Sequence, residues 1–431
     1  MAEGLDPRAT ARRLLGHLDA SPTPYHAVDR AAELLGAAGF VERDEQAAWT
    51  AGDAARWFVR RGGALVAAVW PSALPPEAPL RIVGAHTDSP NLRLKPRPQS
   101  SSAGWQRLAV EVYGGALLNS WLDRDLGLAG RVSVRRGDEA EVILVHLDGA
   151  IARIPQLAIH LDREVNQAGL VLNPQQHLLP LWAPDGEAGV LEAVAAAAAC
   201  AVDDLMAWDL MLHDVQPAAL TGPGDELLVG GRVDNLVCSF VAVEALAETP
   251  EDPAAVGMVC LFDHEEVGSV SRTGAAGELL PGVIERAHRS RGGDPDGLAR
   301  ALSRSACVSA DMAHATHPNY ADRHDPGHAV DLNGGPVVKV NASQRYASDA
   351  DSAVPFLEAA ERAGVPVQRF VSRSDLPCGS TIGPVTAARL GVSTVDVGVP
   401  QLAMHSARET GGALDPDLFR RSLGSFLAPS G

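Results

Sequence analysis

The chain has 431 residues, of which 46% are hydrophobic and 21% charged, and a formal net charge of -18. That length predicts two domains and a large core, while the acidic balance excludes nucleic acid and an anionic membrane surface as partners. Five scattered cysteines (Cys200, Cys238, Cys260, Cys307, Cys378) without a Cys-x-x-Cys pair exclude a disulfide framework and a cysteine zinc site, and fit a reducing compartment.

At the N-terminus, Met1 to Ala20 carries Asp6, Arg8, Arg12 and Arg13 among its apolar residues, so no continuous signal region is present. No apolar run approaches the ~20 residues of a membrane span. A cytoplasmic protein is expected. Thr23 before Pro24 reads as an N-cap with proline at the first helical position, opening a helix through Val28, Ala31, Leu34 and Leu35 toward Gly39. Ala64 to Trp70 and Arg81 to Gly84 read as strands, the second delivering His86 at its C-terminal end, where open α/β sheets place their ligands.

From Lys95 to about Gly224 the pattern turns β-rich, with strands expected at Leu108 to Val112, Arg131 to Arg136 and Glu141 to Leu147. Pro96 and Pro98 punctuate the entry and Thr221 to Gly224 the exit. After Gly230 the β/α alternation returns. Helices are expected over Asn235 to Leu246, Val354 to Ala363 and Asp415 to Phe426, and strands over Val256 to Phe262, Val365 to Val371 and Val392 to Val399. The division is a catalytic domain over 1–94 and 230–431, interrupted by an inserted, mostly β domain over 95–229.

The chemistry sits in five short motifs. His86 and Asp88 flank a strand-to-loop corner at which the carboxylate can fold back to accept the second imidazole N–H and fix the tautomer; a plain loop turn is the alternative. Asp234, in the run Gly230 to Asn235, can bridge two ions through its two oxygens, or simply cap the helix that follows. Asp263-His264-Glu265-Glu266 stands at the end of the apolar strand Val256 to Phe262. Adjacent side chains diverge there, so Glu266 can ligate while Glu265 stands as general base, its pKa raised by a like charge; a solvated acidic turn is the bland alternative. Asp311 follows Cys307 to Ala310, and His405 follows a strand and the turn at Pro400.

Charge supports the set. Two divalent ions are balanced by Asp234, Glu266, Asp311 and a hydroxide, while His86 and His405 add neutral ligands. Zinc suits these donors, and cobalt or manganese would be accepted at one site. The glycine-rich Gly379 to Gly383 either cradles a substrate carboxylate or carbonyl or is a tight turn before a helix. The histidine-rich loop (His314, His317, His324, His328) has irregular spacing and receives no role.

The motifs at Ser21 to Val28, Gly84 to Pro90, Ile154 to Leu161, Gly230 to Asn235, Asp263 to Ser269, Ser309 to Ala315, Val338 to Tyr346 and Met404 to Glu409 together resemble the aspartyl aminopeptidase family of dinuclear zinc peptidases. The resemblance runs nearly end to end. It implies an α/β zinc-peptidase catalytic domain, with a central mixed sheet flanked by helices and an inserted mostly-β oligomerisation domain. It implies one ion on His86, Asp311 and Asp234, the other on Glu266, His405 and the same Asp234, and Glu265 as base; Asp88, read from its place beside His86, completes the catalytic set. It further implies that Lys339 and Tyr346 hold the substrate's acidic side chain or carbonyl. His160 would then reach a neighbouring subunit's site within a homododecamer.

The expected activity is removal of N-terminal Asp or Glu from peptides by attack of a metal-bridging water. The rivals are a two-metal aminopeptidase or amidohydrolase of neutral or acylated-amino-acid specificity, and a non-catalytic assembly protein on the same fold.

Overall fold

Val256–Phe262 is buried at every position, as a strand covered on both faces of a parallel sheet must be. It is a central member of a nine-stranded sheet in the computed structural model, which describes residues 6–429 apart from 51, 53, 251 and 252, and not the side chain of 148. The first five residues of the stretch read for a signal region, and the last two of the chain, lie outside the described residues. The sheet runs in the order Val41–Glu42, Arg56–Arg61, Ala64–Val69, Val256–Phe262, Leu80–His86, Ala306–Ala310, Ser393–Gly398, Val337–Val340, Gln368–Val371. The four strands from Val256–Phe262 to Ser393–Gly398 are mutually parallel. Their carboxyl ends therefore open side by side.

Alternate residues feed two layers. Val83 and Ala85 face a cluster with Leu14, Leu35, Phe240, Phe356 and Phe419, whereas Leu80 and Ile82 face one with Leu279, Ile284 and Leu390. Helices thus cover both faces, the layered α/β architecture expected. Each fully buried large apolar side chain contributes about 1.5–3 kcal/mol. The helix Pro24–Ala37 starts where the Thr23–Pro24 pair predicts, with the Thr23 hydroxyl accepting from the His26 amide. Helices Ala9–Ala20, Leu279–Ser290 and Pro295–Leu302 were not read from the pattern.

A second sheet closes into a barrel in the order Leu205–Asp214, Asn91–Ser102, Trp105–Tyr113, Leu181–Pro184, Glu139–Arg153, Asp125–Arg136. Its interior is filled by Leu92, Leu108, Leu126, Leu128, Val132, Leu210 and Leu212. Pro96 and Pro98 lie inside the strand Asn91–Ser102 rather than before it. The register slips between Leu94 and Gln99 there, so the ladder does not need the two missing N–H donors. A third, five-stranded sheet runs Ala219–Thr221, Leu227–Gly230, Glu409–Gly412, Pro400–Leu402, Ala313–His314. It ties together the segments that follow Asp311, precede Asp234 and enclose His405. Among the described residues all five cysteines are free, and no helix is long and apolar enough to cross a membrane.

Candidate active site

Each predicted metal ligand, and Glu265 with them, hangs from an end of the parallel strands or from the third sheet. His86 is the last residue of Leu80–His86, Asp311 follows Ala306–Ala310, and Glu265 and Glu266 open a short 3-10 turn after Val256–Phe262. Asp234 lies at the start of helix Val233–Ala247, and His405 follows Pro400–Leu402. Five of these side chains converge. His86 Nε2 lies 3.5 Å from Asp234 Oδ1 and 3.5 Å from Asp311 Oδ1. His405 Nε2 lies 3.7 Å from Asp234 Oδ2 and 3.4 Å from Glu266 Oε2. Asp234 therefore turns one oxygen toward each of two groups.

Asp234 and Asn235 carry non-helical backbone at the kinked start of that helix. Asp234 Oδ1 has no hydrogen-bond partner and its two oxygens face His86 and His405, so the capping alternative does not describe it. Asp88 is fully buried and works differently from the expectation. His86 Nδ1 meets the Asp88 backbone carbonyl at 3.0 Å, whereas the carboxylate is 3.4 Å away. The carboxylate oxygens are already engaged: Tyr113 Oη donates to one at 2.6 Å, and the amides of Glu265 and Glu266 each donate at 3.1 Å. The acidic pair is thus held by its backbone. His405 Nδ1 lies 3.0 Å from the carbonyl of Gly115, just beyond the barrel strand Trp105–Tyr113. A Cβ on Gly115 would stand 3.2 Å from that same nitrogen, so glycine permits the approach. Neither Tyr113 nor Gly115 was singled out in the sequence.

Burial pushes the carboxyls of Glu265 and Glu266 upward in pKa, with neighbouring carboxylates adding repulsion. Asp311 is instead held low despite burial, by Lys339 and His86. Lys339 is 2% exposed, donates to the carbonyls of Asp311 and Met312 at 2.9 and 3.1 Å, and sits 3.5 Å from Asp311 Oδ2. Its Nζ lies 5.1 Å from the centre of the Tyr346 ring. These groups line a cavity of about 250 Å³ together with Glu265, His314, Met404 and the loop Gly379 to Thr381. That loop precedes helix Ile382–Leu390, which Thr381 caps. Of the histidine-rich loop only His314 lines the cavity; His324 accepts from the His317 amide, and His328 meets Asp325. His160 is exposed in the barrel's long loop and is not brought to this cavity.

Residues 17–426 match the sequence profile of the family described as Aminopeptidase I zinc metalloprotease (M18). The chain belongs to the M18 aminopeptidases. It is a metallo-aminopeptidase, as the resemblance implied. A probable M18 family aminopeptidase 2 of Streptomyces coelicolor is 50% identical to it over 424 residues, covering 96% of this chain and 97% of the relative. A chain in the cryo-EM structure of the Ape4 and Nbr1 complex superposes with a TM-score of 0.95 at 37% identity, covering 98% of this chain and 86% of that one. The Saccharomyces cerevisiae mApe1 dodecamer superposes with a TM-score of 0.86 at 29% identity, covering 97% and 96%.

The side chains of this M18 aminopeptidase fit zinc. Asp234 Oδ1 and Glu266 Oε1 are buried without hydrogen-bond partners, and ligand atoms of His86, Asp234 and Glu266 lie within 4.8 Å of one another. A tetrahedral zinc with bonds of about 2.0–2.1 Å places its ligand atoms roughly 3.3 Å apart, close to the separations around Asp234. Among the described residues, Asp234, Glu265, Glu266 and Asp311 line the cavity against Lys339 as the one permanent cation. Such a surplus of buried negative charge calls for cations.

Proposed function

We propose that this M18 aminopeptidase holds two zinc ions and removes N-terminal aspartate or glutamate from peptides. One observation carries the reading: two clusters, His86 with Asp311 and His405 with Glu266, share Asp234 through its two different oxygens. His86, Asp311 and Asp234 would hold one ion, and His405, Glu266 and Asp234 the other; cobalt or manganese suits the same donors at one position. Zinc, when bound, supplies a Lewis acid that polarises the scissile carbonyl and acidifies water.

The residues around it supply the rest. Glu265 reaches the cavity without a ligand's role in either cluster, and its raised pKa suits a group that takes a proton from the attacking water and returns it to the departing amine. Asp88 fixes Glu265 and Glu266 through their amides and so sets the base against the ligand. Lys339 and Tyr346 line the same cavity and face the substrate's acidic side chain or carbonyl. The barrel, with segment 95–229 as the inserted domain, would serve assembly into a homododecamer in which His160 reaches a neighbour's site. The dodecameric yeast relative supports that assembly. Five scattered cysteines, none in a disulfide among the described residues, support a cytoplasmic location.

A second reading, neutral specificity, is favoured by the two carbonyls that already occupy Lys339. Metal analysis combined with a panel of N-terminal residues on one peptide scaffold separates the two. Release of Asp and Glu far faster than Leu, with two zinc per chain, supports the first. Equal rates, or a single ion at full activity, overturn it.

A further inference from the structure

One buried carboxylate has no part in the chemistry above. Glu409 is 2% exposed and begins the strand Glu409–Gly412, where it pairs with Gly230, four residues before Asp234. Its Oε2 accepts the amide N–H of Asp234 at 3.0 Å, and its Oε1 accepts the amide N–H of His405 at 2.7 Å. A carboxylate removed from water is costly unless its lone pairs are taken up, and here backbone amides take them up.

The two segments it grips need holding. His405 sits at φ 66°, and Arg232, two residues before Asp234, at φ 60°. Left-handed backbone at residues with side chains is unfavourable, and it persists where surrounding contacts fix it. One side chain spans both turns, with one oxygen for each. Asp88 has the same relation to the other half of the cluster, where it accepts from the amides of Glu265 and Glu266. Two buried carboxylates thus each hold a pair of site residues by the main chain.

We infer that Glu409 is a positioning residue: it sets the 3.7 Å separation of the His405 imidazole from Asp234, and thereby the affinity of the cation position those two share. This rests on Asp234 and His405 being metal ligands. Outer partners of this kind alter metal affinity by about 10–100-fold when replaced.

Glu409→Gln keeps shape and volume but turns an amide NH₂ toward one of the two N–H donors, so one bond becomes a repulsion. Zinc affinity of the full-length protein is measured by competition with a chromogenic chelator, alongside thermal midpoints in chelator and in zinc. The expected result is a tenfold to hundredfold weaker zinc affinity in at least one position, with the metal-free midpoint close to that of the parent. Unchanged affinity at both positions, with only the metal-free midpoint lowered, reduces Glu409 to a structural staple and overturns the inference. Should Glu409→Ala fail to fold, the isosteric variant still decides. His405→Ala serves as the separate control: two tightly held ions in that variant would sink the ligand reading itself, whatever Glu409→Gln shows.

Discussion

Lys339 Nζ donates to the Asp311 carbonyl at 2.9 Å and lies 3.5 Å from the carboxylate of the same residue. An ammonium has three N–H groups, and the Met312 carbonyl takes another at 3.1 Å. The lysine is therefore part of the frame around Asp311 as well as a wall of the cavity that Glu265 and Glu266 line. Charge-assisted hydrogen bonds contribute about 1.5–3 kcal/mol. Lys339→Met is expected to lower kcat/KM on a Leu peptide by about 10–100-fold, and on Asp and Glu peptides by more. Equal losses on all three would remove Lys339 from acid recognition and leave it a support for Asp311.

Glu265→Gln should lower kcat by about 10²–10⁴-fold, the usual contribution of a positioned base, while elemental analysis still finds the parent's zinc content. A retained rate would end its assignment as base, and lost zinc would make it a ligand.

Tyr113 acts at one remove. Its hydroxyl donates to Asp88 Oδ2 at 2.6 Å, and Asp88 in turn holds the amides of Glu265 and Glu266. Tyr113→Phe should cost about 1.5–3 kcal/mol in chemical denaturation and lower kcat with little change in KM. An unaltered kcat would show that the acidic turn keeps its place without that hydroxyl.

Chelation should abolish turnover and lower the thermal midpoint, because Asp234, Glu266 and Asp311 then confront one another in a buried cavity. Zinc at a hundred times its Kd restores about 2.7 kcal/mol by mass action. The check is a thermal scan with and without chelator, followed by zinc. Coincident curves would count against metal ions in this cluster.

His213 supplies a pH dependence outside the cluster around Asp234. Burial pushes its pKa from the usual histidine value of about 6.5 down to about 3, with Arg232 adding repulsion. Above pH 6.5 both folded and unfolded chains carry it neutral, and it imposes no penalty. Below that, the unfolded chain takes a proton that the folded one refuses, so stability falls by up to roughly 1.4 kcal/mol per pH unit until the folded group titrates. Midpoints between pH 7 and 4 should drop less steeply in His213→Gln than in the parent, and parallel profiles would exclude this histidine as a cause.

Local signals made part of this legible. An unbroken apolar strand ending in Asp263-His264-Glu265-Glu266 could be read without a structure, because burial on both faces demands Val256–Phe262 be apolar throughout. The helix after Thr23–Pro24 announced itself by its cap. Tyr113 and Gly115 did not, because each acts on residues distant in the chain through a hydroxyl or a carbonyl; Glu409 stood within a recognised motif, but its grip on the Asp234 amide did not show in the sequence. Pro96 and Pro98 misled for a related reason: a register slip that only strand pairing reveals accommodates them. At Asp234 the sequence left capping and bridging open, and the two oxygens facing His86 and His405, with Oδ1 unpartnered, separate the two readings.

The strand Trp105–Tyr113 and the turn beyond it have a consequence for anyone wishing to shorten this enzyme. Trimming away the barrel to obtain a minimal peptidase would take with it the phenol that steadies Asp88 and the carbonyl that orients His405. The truncated protein would retain the converging side chains of His86, Asp234, Glu266, Asp311 and His405 and lose two of the hands that aim them.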